Sequence, residues 1–207
     1  CSSDLHPNIV GYYESFLLDN RLHIIMEYAN GGTLEARINQ ARVKQAAGGA
    51  GARLGVEDAK VKKWFAELLL AVGYIHHKHL IHRDIKPANV FLHNDAVKLG
   101  DFGVTRELDN TLAMAKTQAG TPFYMGPEQL SGEGYNCCAD VWALGCVLYE
   151  LLTTRKAFPA KSIMQLCIKV NNVDYEPLDG SVDACFRELL PRMLCKDTSA
   201  RITIRDA

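Results

Sequence analysis

The stretch Asp140–Leu152 (DVWALGCVLYELL) is apolar on nearly every face. A surface helix keeps a polar side, whereas a helix that is apolar all round has to be buried along its whole length. A chain that must wrap such a helix needs a sizeable core. The composition allows one, because 48% of the 207 residues are hydrophobic and 23% charged, close to globular averages. Those figures exclude a disordered chain and a collagen-like fibre. No run approaches the ~18 apolar residues of a membrane span. Lys and Arg (23) almost balance Asp and Glu (24), so bulk charge offers no attraction to nucleic acid or to an anionic membrane.

The remaining elements follow from periodicity and turn chemistry. Ile9–Phe16 and Leu22–Tyr28 are rich in strand formers and flank Asp19-Asn20, which predicts an antiparallel hairpin. Asn30-Gly31-Gly32 ends the second strand, and Thr33 is placed to cap a helix running to about Lys44. Residues 46–55 (AAGGAGARLG) read as a flexible insert, since the glycines do not follow the spacing of a phosphate-binding turn. Val61, Trp64, Phe65, Leu68, Leu69, Val72 and Ile75 recur at helical spacing and predict one long amphipathic helix. His76, His77 and His79 fall in its last turn, where donor side chains suit a helix C-terminus better than the spacing suits zinc. Residues 90–92 and 96–99 bracket a polar turn as a second hairpin. Residues 104–120 read as a long loop of the kind that carries function, and further helices are expected near 161–170 and 183–195.

Seven cysteines, an odd number, stand at 1, 137, 138, 146, 167, 185 and 195 without any C-x-x-C pair. A disulfide framework belongs to short secreted chains, so these read as free buried thiols in a reducing compartment. The opening CSSDLHPNIV is polar, lacks an apolar signal core and does not begin with Met, and it reads as a cut through a longer protein.

Four segments carry the chemistry: HRDIKPAN at 82–89, DFG at 101–103, GPE at 126–128 and DVWALG at 140–145. Each is weak alone, but their order and spacing together are specific. On these residues the chain resembles the eukaryotic protein kinases over essentially its whole length. TLAMAKTQAGTPFYMGPEQL, ADVWALGCVLYEL and KAFPAKSIMQLCIKV further resemble the NIMA-related (Nek) serine/threonine kinases. Three departures stand out: KPAN where many relatives have KSQN, Gly126 in place of Ser or Ala before Pro-Glu, and the 46–55 insert. The implied fold is α+β and kinase-like. Residues 1–28 would be a two-stranded remnant of the β-rich N-lobe, and residues 29–207 the mainly helical C-lobe with catalytic loop, activation segment and insert.

The resemblance implies a protein serine/threonine kinase that moves the γ-phosphate of ATP, with Mg²⁺, to Ser or Thr hydroxyls of protein substrates. Such chemistry needs an oriented hydroxyl, neutralised phosphate charge and a held metal. Asp84 would accept the hydroxyl proton, and Lys86 would reach the transferred phosphoryl group. Asn89 and Asp101, oxygen donors suited to a hard cation, lie at opposite ends of the second hairpin, which would return both to one edge. Thr121 would contact Asp84 and Lys86; it and Lys86 fit the Ser/Thr rather than the tyrosine pattern. Glu27 and Ala29 would offer backbone groups to adenine, with Met26 behind it and Phe91 as the floor.

His82 and Phe102 would align the catalytic loop, Asp140 would anchor it, and Glu128 would pair with Arg201. Thr117 is the implied phosphorylation site, with Arg83 and Arg106 as the phosphate-binding cluster and Thr111 as the plainer alternative. Acids common in basic-directed kinases are missing at Ala88 and Thr33, so no upstream Arg requirement is expected on a peptide array. No glycine-rich loop or strand lysine occurs in the chain, so residues 1–207 alone are expected to be inactive or very weak. A pseudokinase or scaffold that binds without catalysis is the alternative. The implied location is intracellular, cytoplasmic or cytoskeleton-associated.

Overall fold

A computed structural model describes residues 6–48, 56–100, 122–134, 136–172 and 174–207. Among these, two small antiparallel sheets accompany a helical body, which is the expected α+β class. The expected loop at 104–120 lies outside the described residues, as do positions 49–55 of the expected insert.

Strands β1 (Tyr12–Leu18) and β2 (Arg21–Met26) pair from Tyr12↔Met26 to Leu18↔Arg21, with a bulge between Tyr12 and Glu14. Asp19 and Asn20 both take positive φ (50° and 57°), the left-handed pair that a tight two-residue hairpin turn demands and that Asp and Asn tolerate best. The strand boundaries differ from those expected. Residues 8–10 leave the hairpin and run beside the second sheet: the Val10 N–H donates to the Leu99 carbonyl (2.8 Å) and the Leu99 N–H to the Asn8 carbonyl (2.8 Å). Both faces of the hairpin carry exposed apolar side chains, Leu17, Leu22 and Ile24 on one and Phe16, Leu18 and Ile25 on the other.

Helix α1 (Leu34–Ala47) begins at Thr33, whose Oγ1 accepts the Ala36 N–H at 3.2 Å, and it outruns the expected end by three residues, taking in the first two positions of the supposed insert. Helix α2 (Asp58–His77) buries the predicted stripe, with Leu69 only half-buried at its edge. A 3-10 turn (Pro87–Asn89) leads into β3 (Val90–His93), which pairs with β4 (Ala96–Leu99) around Asn94 and Asp95, again both at positive φ. Gly31 crosses tightly over β3. Its N–H donates to the Leu92 carbonyl at 2.7 Å, and a Cβ there would meet that oxygen at 2.7 Å.

A short helix α3 (Pro127–Leu130) precedes α4 (Cys137–Thr153), the apolar run, in which every residue from Ala139 to Thr153 is buried. Asn136 caps it through the Cys138 N–H at 2.9 Å. Helix α4 packs against α2 and against α6 (Ala184–Met193), and Gly145 lets α6 come close: a Cβ would lie 2.8 Å from Leu194 Cδ2. Helix α5 is Ile163–Asn172. No helix among the described residues is long and apolar enough to cross a membrane. The six described cysteines are unpaired thiols, but only Cys146 is buried, while Cys137 and Cys185 are exposed. Free thiols were expected and are seen; burial was expected too, but it holds only for Cys146, because the other five fall at helix ends or on outer faces that composition does not reveal.

Candidate active site

Residues 82–89 leave α2, pass under the start of α4 and enter β3. The buried carboxylate of Asp140, in the first turn of α4, gathers this loop. Its Oδ2 accepts the His82 N–H (2.9 Å), its Oδ1 accepts the Arg83 N–H (3.0 Å), and Oδ2 also lies 2.8 Å from His76 Nε2. Arg83 is held at φ 70°, a left-handed conformation costing roughly 1–2 kcal/mol for a residue with a side chain. The two Asp140 bonds offset that cost. His82 is buried and works from both ring nitrogens: Nδ1 accepts the Asp84 N–H (3.3 Å), so Nε2 carries the proton and donates to the Gly100 carbonyl (3.1 Å).

At the loop's open end, two groups converge on one carboxylate. Lys86 Nζ lies 3.0 and 2.8 Å from the two Asp84 oxygens. Asn89 Nδ2 donates to the Asp84 main-chain carbonyl and to its Oδ2, each at 2.8 Å. Asp84 and Lys86 are half-exposed (51% and 38%), so the carboxylate is fixed from below and open to a ligand from above. Because Asn89 spends its nitrogen on Asp84, its amide oxygen stays uncommitted among the described residues. An oriented, neutral oxygen beside a carboxylate is a donor set that suits a hard divalent cation. The Gly100 N–H donates to the Asn89 carbonyl at 3.0 Å, so the residue before Asp101 returns to Asn89, as the hairpin argument required. Asp101 itself, with Phe102, Arg106, Thr111, Thr117 and Thr121, lies outside the described residues.

The residues expected around adenine stand at the end of β2, just beyond it, and on β3. The Glu27 N–H is spent on the Gly11 carbonyl at 2.7 Å, leaving only the Glu27 carbonyl for a ligand. Both backbone groups of Ala29 remain uncommitted among the described residues. Phe91 lies half-buried on the β3 face opposite Val90 and Leu92, beside Gly100, where a Cβ would meet its ring at 2.6 Å. Met26 is 51% exposed, so its cover has to come from another element.

Glu128 and Arg201 form the expected pair, with Nη1–Oε1 at 2.6 Å and Nη2–Oε2 at 3.0 Å, both residues buried. Arg201 also donates to the carbonyls of Cys195 (2.8 Å) and Cys138 (2.9 Å).

Sequence reasoning missed three contacts. His76 was read only as a helix-end donor, and no local motif links it to Asp140, 64 residues away. Lys98 pairs with Glu27 at 2.7 Å. Burial pushes the Glu27 carboxyl up, but the hydrogen bond from Lys98, the Gly11 N–H and the Lys98 charge outweigh it and hold the group below its ordinary value. Tyr124 donates to buried Glu150 at 2.7 Å, and Lys156 bonds to both. Burial first, then the Glu150 charge, push the Tyr124 phenol far above its ordinary value, so it stays a donor.

The protein kinase domain family matches residues 1–207. Among similar proteins, serine/threonine-protein kinase Nek1 of Mus musculus is 40% identical across 96% of this chain and 16% of that protein. Serine/threonine-protein kinase nekl-2 of Caenorhabditis elegans is 38% identical across 95% of this chain and 54% of its own length. Serine/threonine-protein kinase Nek3 of Mus musculus is 41% identical across 95% and 37% respectively. The chain therefore spans about half of these relatives' length or less.

Proposed function

Because the chain belongs to the protein kinase domain family, we propose that the protein carrying it transfers the γ-phosphate of ATP to serine and threonine hydroxyls of other proteins, in the manner of the NIMA-related kinases it resembles. The observation that carries this reading is the Asp84 carboxylate, held by Asn89 and Lys86 at 2.8–3.0 Å and open to solvent on its remaining side. Asp84 accepts the proton as the acceptor oxygen bonds to the γ-phosphorus and the bond to the β–γ bridging oxygen breaks. Lys86 shifts from Asp84 to the phosphoryl oxygens and offsets their charge. Asn89, through its amide oxygen, and Asp101 hold Mg²⁺, which when bound neutralises phosphate charge. Thr121 steadies Asp84 and Lys86.

The Glu27 carbonyl and Ala29 meet adenine over Phe91, with Met26 behind. His82, Phe102 and Asp140 position the loop, while Glu128 and Arg201 brace the segment that follows. Thr117 is the regulatory phosphate acceptor, answered by Arg83 and Arg106. Residues 1–28 belong to a small lobe and 29–207 to the large one, and the protein works inside the cell. A catalyst is favoured over a scaffold because Asp84, Lys86 and Asn89 are all retained and already engaged with one another.

The test is incubation of the full-length protein with Mg²⁺, γ-labelled ATP and mixed protein substrates, followed by phosphoamino acid analysis. Phosphoserine and phosphothreonine are expected. Phosphotyrosine alone, or no incorporation, overturns the reading.

A further inference from the structure

Away from Asp84, a cleft of about 470 Å³ opens between α1, the turn after α4, α5 and residues 174–176. Its inner wall is aromatic, from buried Tyr149 and Phe158, and Pro159 stands exposed at its edge. Its charges are uneven. Buried Glu150 is answered by Lys156 at 2.8 Å and approached by Arg42 at 3.6 Å. Glu176 is taken by Arg155 at 2.8 Å, and Asp174 by Lys196 at 2.8 Å from outside the cleft. Every carboxylate is thus matched, and cations are left over. Lys169 has no ion-pair partner among the described residues. Arg42 turns its guanidinium mainly to the Thr154 carbonyl (3.1 and 2.7 Å) while remaining half-exposed. Elsewhere on α5, outside the cleft lining, Ile168 (54% exposed) and, one turn earlier, Met164 (76%) face solvent. The cations stand on separate elements instead of converging on one point, which suits an extended chain with spaced acids better than a lone anion.

We propose that this cleft docks an acidic segment of a partner protein. Asp or Glu side chains of that segment meet Lys169 and the outer edges of Arg42 and Arg155, and an apolar residue among them covers Pro159 at the cleft's edge. Docking of this kind would steer a partner by charge and weaken as salt rises. It stands apart from phosphoryl transfer, because none of these residues touches the Asp84 loop, and its failure would leave the proposed chemistry untouched.

The test is fluorescence anisotropy of the full-length protein with a labelled peptide of alternating Asp and Glu around a central Leu-Phe pair, against the same peptide with every acid replaced by Asn or Gln. The acidic peptide is expected to bind at least about tenfold more tightly. Lys169→Glu should abolish that preference without changing the near-ultraviolet circular dichroism, since Lys169 has no ion-pair partner to lose among the described residues. Lys60→Glu, at an exposed position of α2, should leave binding as it was. Equal binding of the two peptides, wild-type affinity in Lys169→Glu, an equal loss in Lys60→Glu, or stronger competition from a single-stranded oligonucleotide than from unlabelled acidic peptide would each overturn the proposal.

Discussion

Asp140 shows how much one buried side chain can organise. It is almost fully enclosed, yet its two oxygens serve two backbone N–H groups and a histidine ring, and by doing so they hold Arg83 at positive φ directly before Asp84. Replacing it with Ala leaves those donors without an acceptor in a dry interior, a loss of about 1–3 kcal/mol for each group left unsatisfied. Asp140→Ala is expected to lower the urea midpoint and to reduce kcat of the full-length protein far more than its KM for ATP. A variant with native stability and native kcat would show that the anchor is dispensable. Asp84, Lys86 and Asn89 were singled out through the motif that carries the resemblance, and the structure sets Lys86 and Asn89 against the Asp84 carboxylate. His76 was not legible in that way. Its partner arrives from another helix, and nothing in the surrounding YIHHKH distinguishes it from its neighbours.

At the scale of elements, periodicity served wherever one element faces one core. The stripe of α2 and the all-apolar α4 were read correctly, as were both hairpin turns, where Asp-Asn and Asn-Asp accept the left-handed backbone. Ends were read less well. Ile9 and Val10 look like the start of β1 but run along β4, and strand propensity does not say which partner a strand takes. The join between the two sheets lies at Glu27, whose carboxylate reaches both Lys98 (2.7 Å) and the Gly11 N–H (3.1 Å). Its pKa is lowered in the folded chain, so ionised Glu27 stabilises the fold above the ordinary value of 4.5. That contribution fades as pH falls from there through the lower folded value. Chemical denaturation should therefore find Glu27→Gln less stable than wild type at neutral pH, with the gap closing well below 4.5. A gap independent of pH would contradict the assignment.

For the molecule as a whole, the Glu128–Arg201 pair joins segments 73 residues apart and ties the short helix α3 to the end of the chain. Both partners are buried, so removing one strands the other charge. Arg201→Ala is expected to cost ~3–5 kcal/mol, whereas replacing both with apolar residues of similar size should cost much less. Calorimetry on the two variants distinguishes this from a surface pair, for which both would stay near wild type. The pair had been inferred by resemblance, and no rule of spacing would have joined residues so far apart.

The most direct measurement is the steady-state rate of phosphate transfer by the full-length protein and its Asp84→Asn variant, under saturating Mg²⁺ and ATP. If Asp84 accepts the hydroxyl proton, kcat should fall by ~10²–10⁴ while nucleotide still binds. Equal rates in the two proteins would contradict the assignment of this loop as the catalytic centre.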